Sequence, residues 1–379
     1  MIPTRILQVF GILNFGGAEM MLISLYRHID KTIVQFDFVK HTNDKCEFDD
    51  EILAMGGRVF CCPKYTGKNH FKYQKWWNDF FMKHSEYHII HSHISSTAAI
   101  ILSIAKKYDL FTIAHSHNTS SGFGISAKVK DIMQFPIRFI ADWFFSCSHE
   151  AGRWLFGNKV ISGSNYRILK NAIDIQSFND KLIVRKEVRD EFGLNGYFVI
   201  GHIGRFADQK NHMYLVDIFK YVFAKNSAAR LLLVGDGPLK PDVERKVAAF
   251  GLSKYVVFAG VRNDVPKLLQ AMDVFVFPSK FEGLGIVVIE AQITGLHCIV
   301  SDATPKEVAV TDLVDFIPLS MAPRLWAEKI LKYDINIKRN YRFEEIIAAG
   351  YDVRETAKEL QEFYTNVAIS KTIENYKHD

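Results

Sequence analysis

The stretch Val274-Phe275-Val276-Phe277-Pro278-Ser279-Lys280-Phe281-Glu282-Gly283-Leu284-Gly285, continuing through Ile286 to Glu290, carries the pattern from which the rest of the chain is read. Val274 to Phe277 is an uninterrupted β-branched and aromatic run, the signature of a strand buried on both faces of a parallel sheet. Ile286 to Thr294 reads as a helix ended by Gly295. A glycine-rich turn therefore joins a strand exit to a helix start. Unpaired N–H groups and the positive end of the helix dipole make such a start an anion site, and open α/β sheets bind ligands at the carboxyl ends of their strands. The expected ligand is a phosphate group. Glu282 falls just before the helix and Glu290 about two turns in, so they could grip opposite ends of one ligand. A capped helix with an exposed glutamate at each place accounts equally well for the segment standing alone.

Working outward, the same strand–helix rhythm fills the chain. Strands are expected at Ile6 to Phe10, Gln35 to Val39, Arg58 to Cys61, Tyr87 to Ser92, Phe111 to Ala114, Trp143 to Ser146 and Tyr166 to Leu169. A polar, poorly patterned segment from Asn171 to Asn195, with Asp180-Lys181 and Arg185-Lys186-Glu187, reads as an interdomain linker. The rhythm restarts with strands at Val199 to Ile203, Leu231 to Val234, Val256 to Phe258, Val274 to Phe277, Cys298 to Val300 and Phe316 to Pro318. At 379 residues the chain exceeds the size of one compact core. The reading is α/β, with Rossmann-like domains over 1–175 and 176–353. The last helix, Arg354 to Val367 within 354–379, either caps the second sheet or crosses back to the first.

Composition sets the class. Hydrophobic residues at 48% and charged residues at 23% are those of a folded chain, and a net charge of +5 selects no partner. No apolar run is long enough to span a bilayer, and the N-terminus enters a strand without a secretory signal, so the chain reads as cytosolic. Cys46, Cys61, Cys62, Cys147 and Cys298 form no disulfide or zinc pattern and read as buried thiols.

Further constellations gather around that frame. Gly204-Arg205 and Lys210 flank the exit of the strand Val199 to Ile203; Arg binds phosphate oxygens bidentately and Lys supplies a mobile point charge, a pairing suited to a leaving diphosphate. Two solvated loop cations are the plain alternative. Gly16-Gly17 follows the first strand, where backbone can approach a ligand closely, but the full GxGxxG spacing is absent; Asp37 keeps a dinucleotide oxidoreductase in view. His91, His93, His115 and His117 form two HxH pairs at strand exits. They read as polar cleft residues, since zinc would need a third well-placed ligand and a second shell that no HExxH or Cys/His spacing supplies. Lys68 to Lys83 mixes bases with aromatics at helical spacing and could touch a membrane face; packing of Phe71, Trp77, Phe80 and Phe81 on the sheet is the simpler reading. No nucleic-acid-binding stripe, GxSxG elbow or P-loop is present.

Together with Cys147-Ser148, Ala151 to Gly157, Val234 to Leu239 and Phe258 to Val265, these elements make the sequence resemble the family-four retaining glycosyltransferases, glycosyl transferases group 1, along nearly its whole length. The resemblance implies the GT-B fold, two Rossmann-like parallel-sheet domains facing each other across a cleft. It implies that Arg205 and Lys210 neutralise the donor diphosphate, Glu290 binds the ribose and Glu282 contacts the donor sugar. Amides of Gly283, Leu284 and Gly285, with Gly16, Gly17 and Arg262, complete the donor set, and His117, ahead of His115, matches the family's cleft histidine. Catalysis then falls to Arg205, Lys210, Glu282 and His117, with no metal and no cofactor beyond the nucleotide-sugar co-substrate. Leu169 to Asp174 departs from the family's Pro-Asn-Gly turn, which touches hinge geometry and not chemistry.

The implied activity is hexosyl transfer with retention, from a nucleotide-sugar, foremost a UDP-sugar, to a hydroxyl of a saccharide or lipid-linked saccharide in surface polysaccharide synthesis. The enzyme would work in the cytoplasm, with peripheral contact at the inner face of the plasma membrane. A sugar-nucleotide epimerase of the same fold and a catalytically silent nucleotide-sugar-binding scaffold subunit are the alternatives; the retained Arg205, Lys210, Glu282 and Glu290 argue against the silent one.

Overall fold

The computed structural model describes residues 3–122, 124–178, 182–333 and 339–378. The chain divides into two units, Met1–Ile173 with Tyr351–Asp379, and Asp174–Gly350.

Unit one contains strands β1 (Thr4–Phe10), β2 (Val34–Lys40), β3 (Val59–Cys61), β4 (Ile89–Ser92), β5 (Phe111–Ser116), β6 (Trp143–Ser146) and β7 (Tyr166–Ile168). Its helices are α1 (Gly17–His28), α2 (Asp49–Ala54), α3 (His70–Lys83), α4 (Ala98–Lys106), α5 (Ile125–Gln134), α6 (Ile137–Ile140) and α7 (His149–Ile161). Unit two contains β8 (Phe198–Ile203), β9 (Ala229–Val234), β10 (Val256–Gly260), β11 (Val274–Phe277), β12 (His297–Ser301) and β13 (Val314–Ile317). Its helices are α8 (Leu182–Phe192), α9 (His212–Lys225), α10 (Lys240–Ala249), α11 (Val265–Ala271), α12 (Ile286–Ile293), α13 (Pro323–Ile330) and α14 (Phe343–Ala348). The final helix, α15 (Val353–His378), belongs to unit one.

Both sheets are parallel throughout, ordered β3-β2-β1-β4-β5-β6-β7 and β10-β9-β8-β11-β12-β13. Each sheet reverses its winding once, between β1 and β4 and between β8 and β11, and at such a switch point the loops leaving two neighbouring strands part and open a crevice. The glycine-rich stretch follows β11, and Gly204-Arg205 follows β8, so topology brings both to one crevice.

Strands covered on both faces read as apolar runs, and every expected strand is present; all of β2 and β11 is buried. In unit one Leu7, Ile90 and Phe144 face the α3, α4 and α7 side, while Ile6, Ile113 and Phe145 face α1 and α15. Val353, Ala357, Leu360 and Tyr364 of α15 recur on one helical face, are at most 1% exposed and join that second cluster. Burying each such large side chain is worth about 1.5–3 kcal/mol, enough for the stripe to hold α15 on this sheet.

Three expectations need correction. The segment Asn171 to Asn195 is not a linker through its length: residues 179–181 lie outside the described residues, and Leu182–Phe192 forms α8. Its charges hid the helix because they are structural. Arg185 and Arg189 reach Asp273 at 2.6 and 2.7 Å, while Val184 and Val188 are buried. In α3, Tyr73, Trp77, Phe80 and Phe81 pack inward, but Phe71 is 84% exposed instead of joining them. The five cysteines are free, yet Cys61 is exposed, being the last residue of the three-residue strand β3 at the sheet edge.

Candidate active site

At the switch point of unit two, the loop after β8 is fastened to the loop after β11 by several bonds. Lys280 N–H donates to the Gln209 carbonyl at 2.8 Å, the Gln209 side chain to the Phe281 carbonyl at 3.0 Å, and the Asn211 amide to the Pro278 carbonyl at 3.1 Å. Asn211 adopts a left-handed conformation, φ 56°, which turns the chain from the 3-10 turn Asp208–Lys210 into α9. Lys210 Nζ then lies 2.7 Å from Glu282 Oε1 and 4.5 Å from the centre of the Phe277 ring.

The neighbouring loop requires a glycine. Gly235 has φ 129°, and a Cβ there would sit 2.2 Å from the Gly204 carbonyl oxygen, so only glycine lets this loop lie against the exit of β8. Gly204 N–H donates to Val234 and Phe206 N–H to Asp236, both at 2.9 Å. The backbone around Arg205 is thus held on two sides. The Arg205 side chain is exposed and makes no hydrogen bond or ion pair with any described residue. A free guanidinium beside a fixed ammonium is an arrangement that can take an anion.

Gly285 caps α12 with φ 90° and its carbonyl accepts from Val288 N–H at 2.9 Å, while the amides of Ile286 and Val287 precede any intrahelical acceptor. Since α12 begins at Ile286, Glu290 stands about one turn in rather than two. Its carboxyl is half-buried, and desolvation raises its pKa to about 7. A carboxyl so placed gains from a hydroxyl or amide partner. Glu282 is 5% exposed and sits with Lys210, while Gly283 and Leu284 are buried.

Arg262 is occupied elsewhere. Its guanidinium makes paired bonds to Asp264 at 2.8 and 2.7 Å and reaches Glu191 at 2.6 Å; none links it to Lys210 or Glu282 among the described residues. Asp37, the residue that kept a dinucleotide reading in view, is fully buried. It accepts from Arg5, Arg58 and the Tyr87 hydroxyl, which leaves it a structural anion.

In unit one, Gly16 is the N-cap of α1 and Gly17 its first residue. A Cβ on Gly17 would meet nothing within 4 Å, so the backbone there is open to a ligand. Alternation along β1, β4 and β5 sends Gln8, His91 and His115 toward α15, while His93 and His117 continue the same side just past the strand ends. There they form a chain of bonds. His117 Nε2 lies 2.8 Å from His93 Nδ1, and His93 Nε2 lies 3.0 Å from Gln8 Oε1. Gln8 Nε2 donates to the Tyr364 hydroxyl at 3.2 Å, which lies 2.7 Å from His91 Nδ1.

The direction of this chain follows from its acceptors. Gln8 Oε1 can only accept, so His93 carries its proton on Nε2, its Nδ1 accepts from His117 Nε2–H, and the His117 Nδ1 lone pair is left bare. Tyr364, already accepting from Gln8, donates to His91. His117 Nδ1, His91 Nε2 and both nitrogens of His115 are buried without a hydrogen-bond partner among the described residues. Burial, reinforced for His91, His93 and His115 by the neighbouring imidazoles, holds those three well below the usual histidine range, and burial alone takes His117 to about 3. All four are neutral near pH 7. Gln8 and Tyr364 carry no sequence motif; the HxH spacing marked the histidines but not what orients them.

Ring nitrogens of His91, His93 and His115 lie within 4.8 Å of one another, so these three are the residues that could hold a metal. The rings stack, however, with His91 and His93 centred 4.3 Å apart at 26°, and both His93 nitrogens are already engaged. As arranged, His91 and His93 serve hydrogen bonding, and His115 keeps both nitrogens without a partner among the described residues.

The family model described as glycosyl transferases group 1 matches residues 197–333. The putative glycosyltransferase EpsF of Bacillus subtilis is 32% identical over 375 residues, 97% of each chain. The chain is a group 1 glycosyltransferase. A second relative is the UDP-Gal:alpha-D-GlcNAc-diphosphoundecaprenol alpha-1,3-galactosyltransferase of Escherichia coli, 24% identical over 76% of this glycosyltransferase and 78% of that one. Among solved structures, Anabaena HepE in complex with UDP and glucose aligns over 99% of both chains with a TM-score of 0.73 at 16% identity, and its likeness places the two sheets in the GT-B fold. The family-model span of the glycosyltransferase contains Arg205, Lys210, Arg262, Glu282 and Glu290; Gly16, Gly17 and His117 lie outside it.

Proposed function

We propose that this glycosyltransferase transfers a hexose with retention, from a UDP-sugar to a hydroxyl of a lipid-linked saccharide in surface polysaccharide assembly. The observation that carries the reading is the crevice at the β8/β11 switch point, where Lys210 is held on Glu282, Arg205 stands free, and α12 opens with no side-chain cap on its first amides. A diphosphate leaving group gathers negative charge as its bond to the sugar breaks, and two cations with a helix start stabilise that charge without a metal. Glu290 takes the ribose hydroxyls, Glu282 the sugar, and the bare Nδ1 of His117 a hydroxyl of the reacting sugar. The acceptor oxygen attacks from the face the diphosphate leaves, so no protein nucleophile is needed. Arg262 serves the fold of its loop more directly than the donor.

HepE bound to UDP supports the choice of base, and the diphosphoundecaprenol acceptor named for the E. coli relative supports a lipid-linked one. The test is a panel of UDP-, GDP- and ADP-sugars scored by thermal shift and then by transfer to a polyprenyl-diphosphate saccharide, with EDTA present and absent and the anomeric configuration of the product determined. UDP-sugars should stabilise the protein and donate with retention in EDTA. An epimerised donor, inverted product, or strict metal dependence would overturn the reading.

A further inference from the structure

The helix α5 is turned inside out for a globular protein. Its large apolar residues Ile125, Val129 and Ile132 follow helical spacing, yet are 83%, 49% and 74% exposed, and the stripe continues through Phe135 at 51% and Phe139 at 74%. The face packed on unit one holds Ala127 and Gln134, 6% and 4% exposed. Scattered exposed apolar residues are ordinary; five large ones on one connected face mark a surface built to be covered.

The surroundings say by what. Lys128, Lys130 and Arg138 belong to the same segment against the single acid Asp131, and the Arg138 guanidinium lies over the exposed Phe135 ring at 4.3 Å. Beside the stripe, a recess of about 420 Å³ is lined by Ile100, Ile104, Met133 and Pro136 and by His70 of α3. Next to His70, Phe71 projects at 84% exposure between the exposed Lys68 and Lys72. Apolar side chains flanked by lysines on both sides of an apolar recess complement the anionic headgroups and acyl layer of a bilayer. No described helix is long and apolar enough to cross a membrane, so the surface would lie on it.

We propose that the outward stripe of α5 and α6, with Phe71 at the start of α3, docks the enzyme on an anionic lipid bilayer. This deepens the proposed function and rests on it, because His117 just past β5 and the start of the stripe at Ile125 belong to the same β5–α5 connection, so a lipid-linked saccharide and its lipid would engage one segment of the chain. The contact expected from Lys68 to Lys83 therefore shifts, since most aromatics of that segment are core.

The experiment is co-sedimentation of the full chain with vesicles of phosphatidylcholine alone and of phosphatidylcholine with phosphatidylglycerol, for the wild type and for an Ile132→Asp, Phe139→Asp double variant. The wild type should bind the anionic vesicles, weaken with salt, and lose at least about tenfold in partitioning in the variant. The variant should keep its thermal midpoint and its UDP-induced shift. Wild-type binding that is absent, equal on neutral vesicles, or unchanged in the variant would overturn the proposal. So would a dimer in sedimentation velocity that the double variant dissolves, because a second copy would then cover the stripe. A wild type that binds vesicles but transfers no sugar would leave the docking surface standing and sink the functional reading instead.

Discussion

The exits of β8 and β11 in unit two and of β1 and β4 in unit one, with β5 beside β4, occupy equivalent topological positions at the switch point of a parallel sheet, and their chemistry is opposite. The first presents formal charge: an exposed Arg205, a Lys210–Glu282 pair and a helix start. The second presents four neutral imidazoles, three of which join an amide and a phenol in one hydrogen-bonded chain. One fold thus supplies two kinds of ligand surface. Charge suits an anion that must leave; a fixed lone pair in a dry pocket suits a hydroxyl that must be oriented.

The largest test of this contrast falls on the charged side. Lys210→Ala and Arg205→Ala are each expected to lower kcat by about 10²–10³, as loss of a preorganised transition-state contact does, with far-UV circular dichroism and unfolding midpoint near wild type for Arg205→Ala because that side chain holds nothing in place. Steady-state transfer assays check it. If Lys210→Ala kept the wild-type rate with donor binding intact, the charged crevice would not be where the diphosphate leaves.

A smaller effect is expected on the neutral side. Tyr364→Phe removes the hydroxyl between Gln8 and His91 while leaving the ring in its place among Phe36 and Leu360. Leaving a buried amide unpaired costs about 1–3 kcal/mol. With Gln8 released, His93 and therefore His117 can adopt the other tautomer, so kcat should fall about tenfold while the UDP-induced thermal shift stays unchanged. A fall in UDP affinity equal to the fall in kcat would mean that the histidine chain supports the fold and not the reacting hydroxyl.

These two sites also differ in how far they could be read beforehand. Val274 to Glu290 declares itself because strand, turn, glutamates and helix follow one another in a single run, and the Gly204-to-Lys210 cations sit in another short run. The thirteen strands announced themselves for the same local reason, as short runs rich in β-branched and aromatic residues. The histidine chain does not: Gln8 looks like a polar residue of an otherwise apolar strand, and Tyr364 lies 273 residues beyond His91, on a helix whose sheet only packing decides. α8 was hidden by the reverse effect, arginines that look solvated but are bound to Asp273. The stripe on α5 was hidden because an amphipathic pattern does not say which face is outward.

pH separates the regions by sign. Glu290 is raised from 4.5 to about 7, so the stability conferred by its neutral burial is complete below pH 4.5 and is lost as pH rises through 7. His117, lowered from 6.5 to about 3, works the other way: its contribution is complete above pH 6.5 and is lost as pH falls toward 3. Unfolding midpoints of Glu290→Gln against wild type should therefore converge at pH 5 and diverge in favour of the variant at pH 8. A gap that stayed constant with pH would show that Glu290 is charged in the folded protein throughout.

The smallest effect is expected at Arg262, and it sharpens the boundary of the charged site. Its guanidinium already has two carboxylates, Asp264 and Glu191, with Glu191 on the helix α8. Exposed ion pairs are worth about 0–1 kcal/mol, so Arg262→Ala should cost about that in stability, through a looser attachment of α8 to the loop after β10. Turnover and the UDP-induced shift should stay within about threefold of wild type, far from the losses expected at Lys210. A loss at Arg262 comparable to that at Lys210, with stability unchanged, would show that the guanidinium leaves Asp264 and Glu191 to meet the donor, and that the charged crevice extends to the exit of β10.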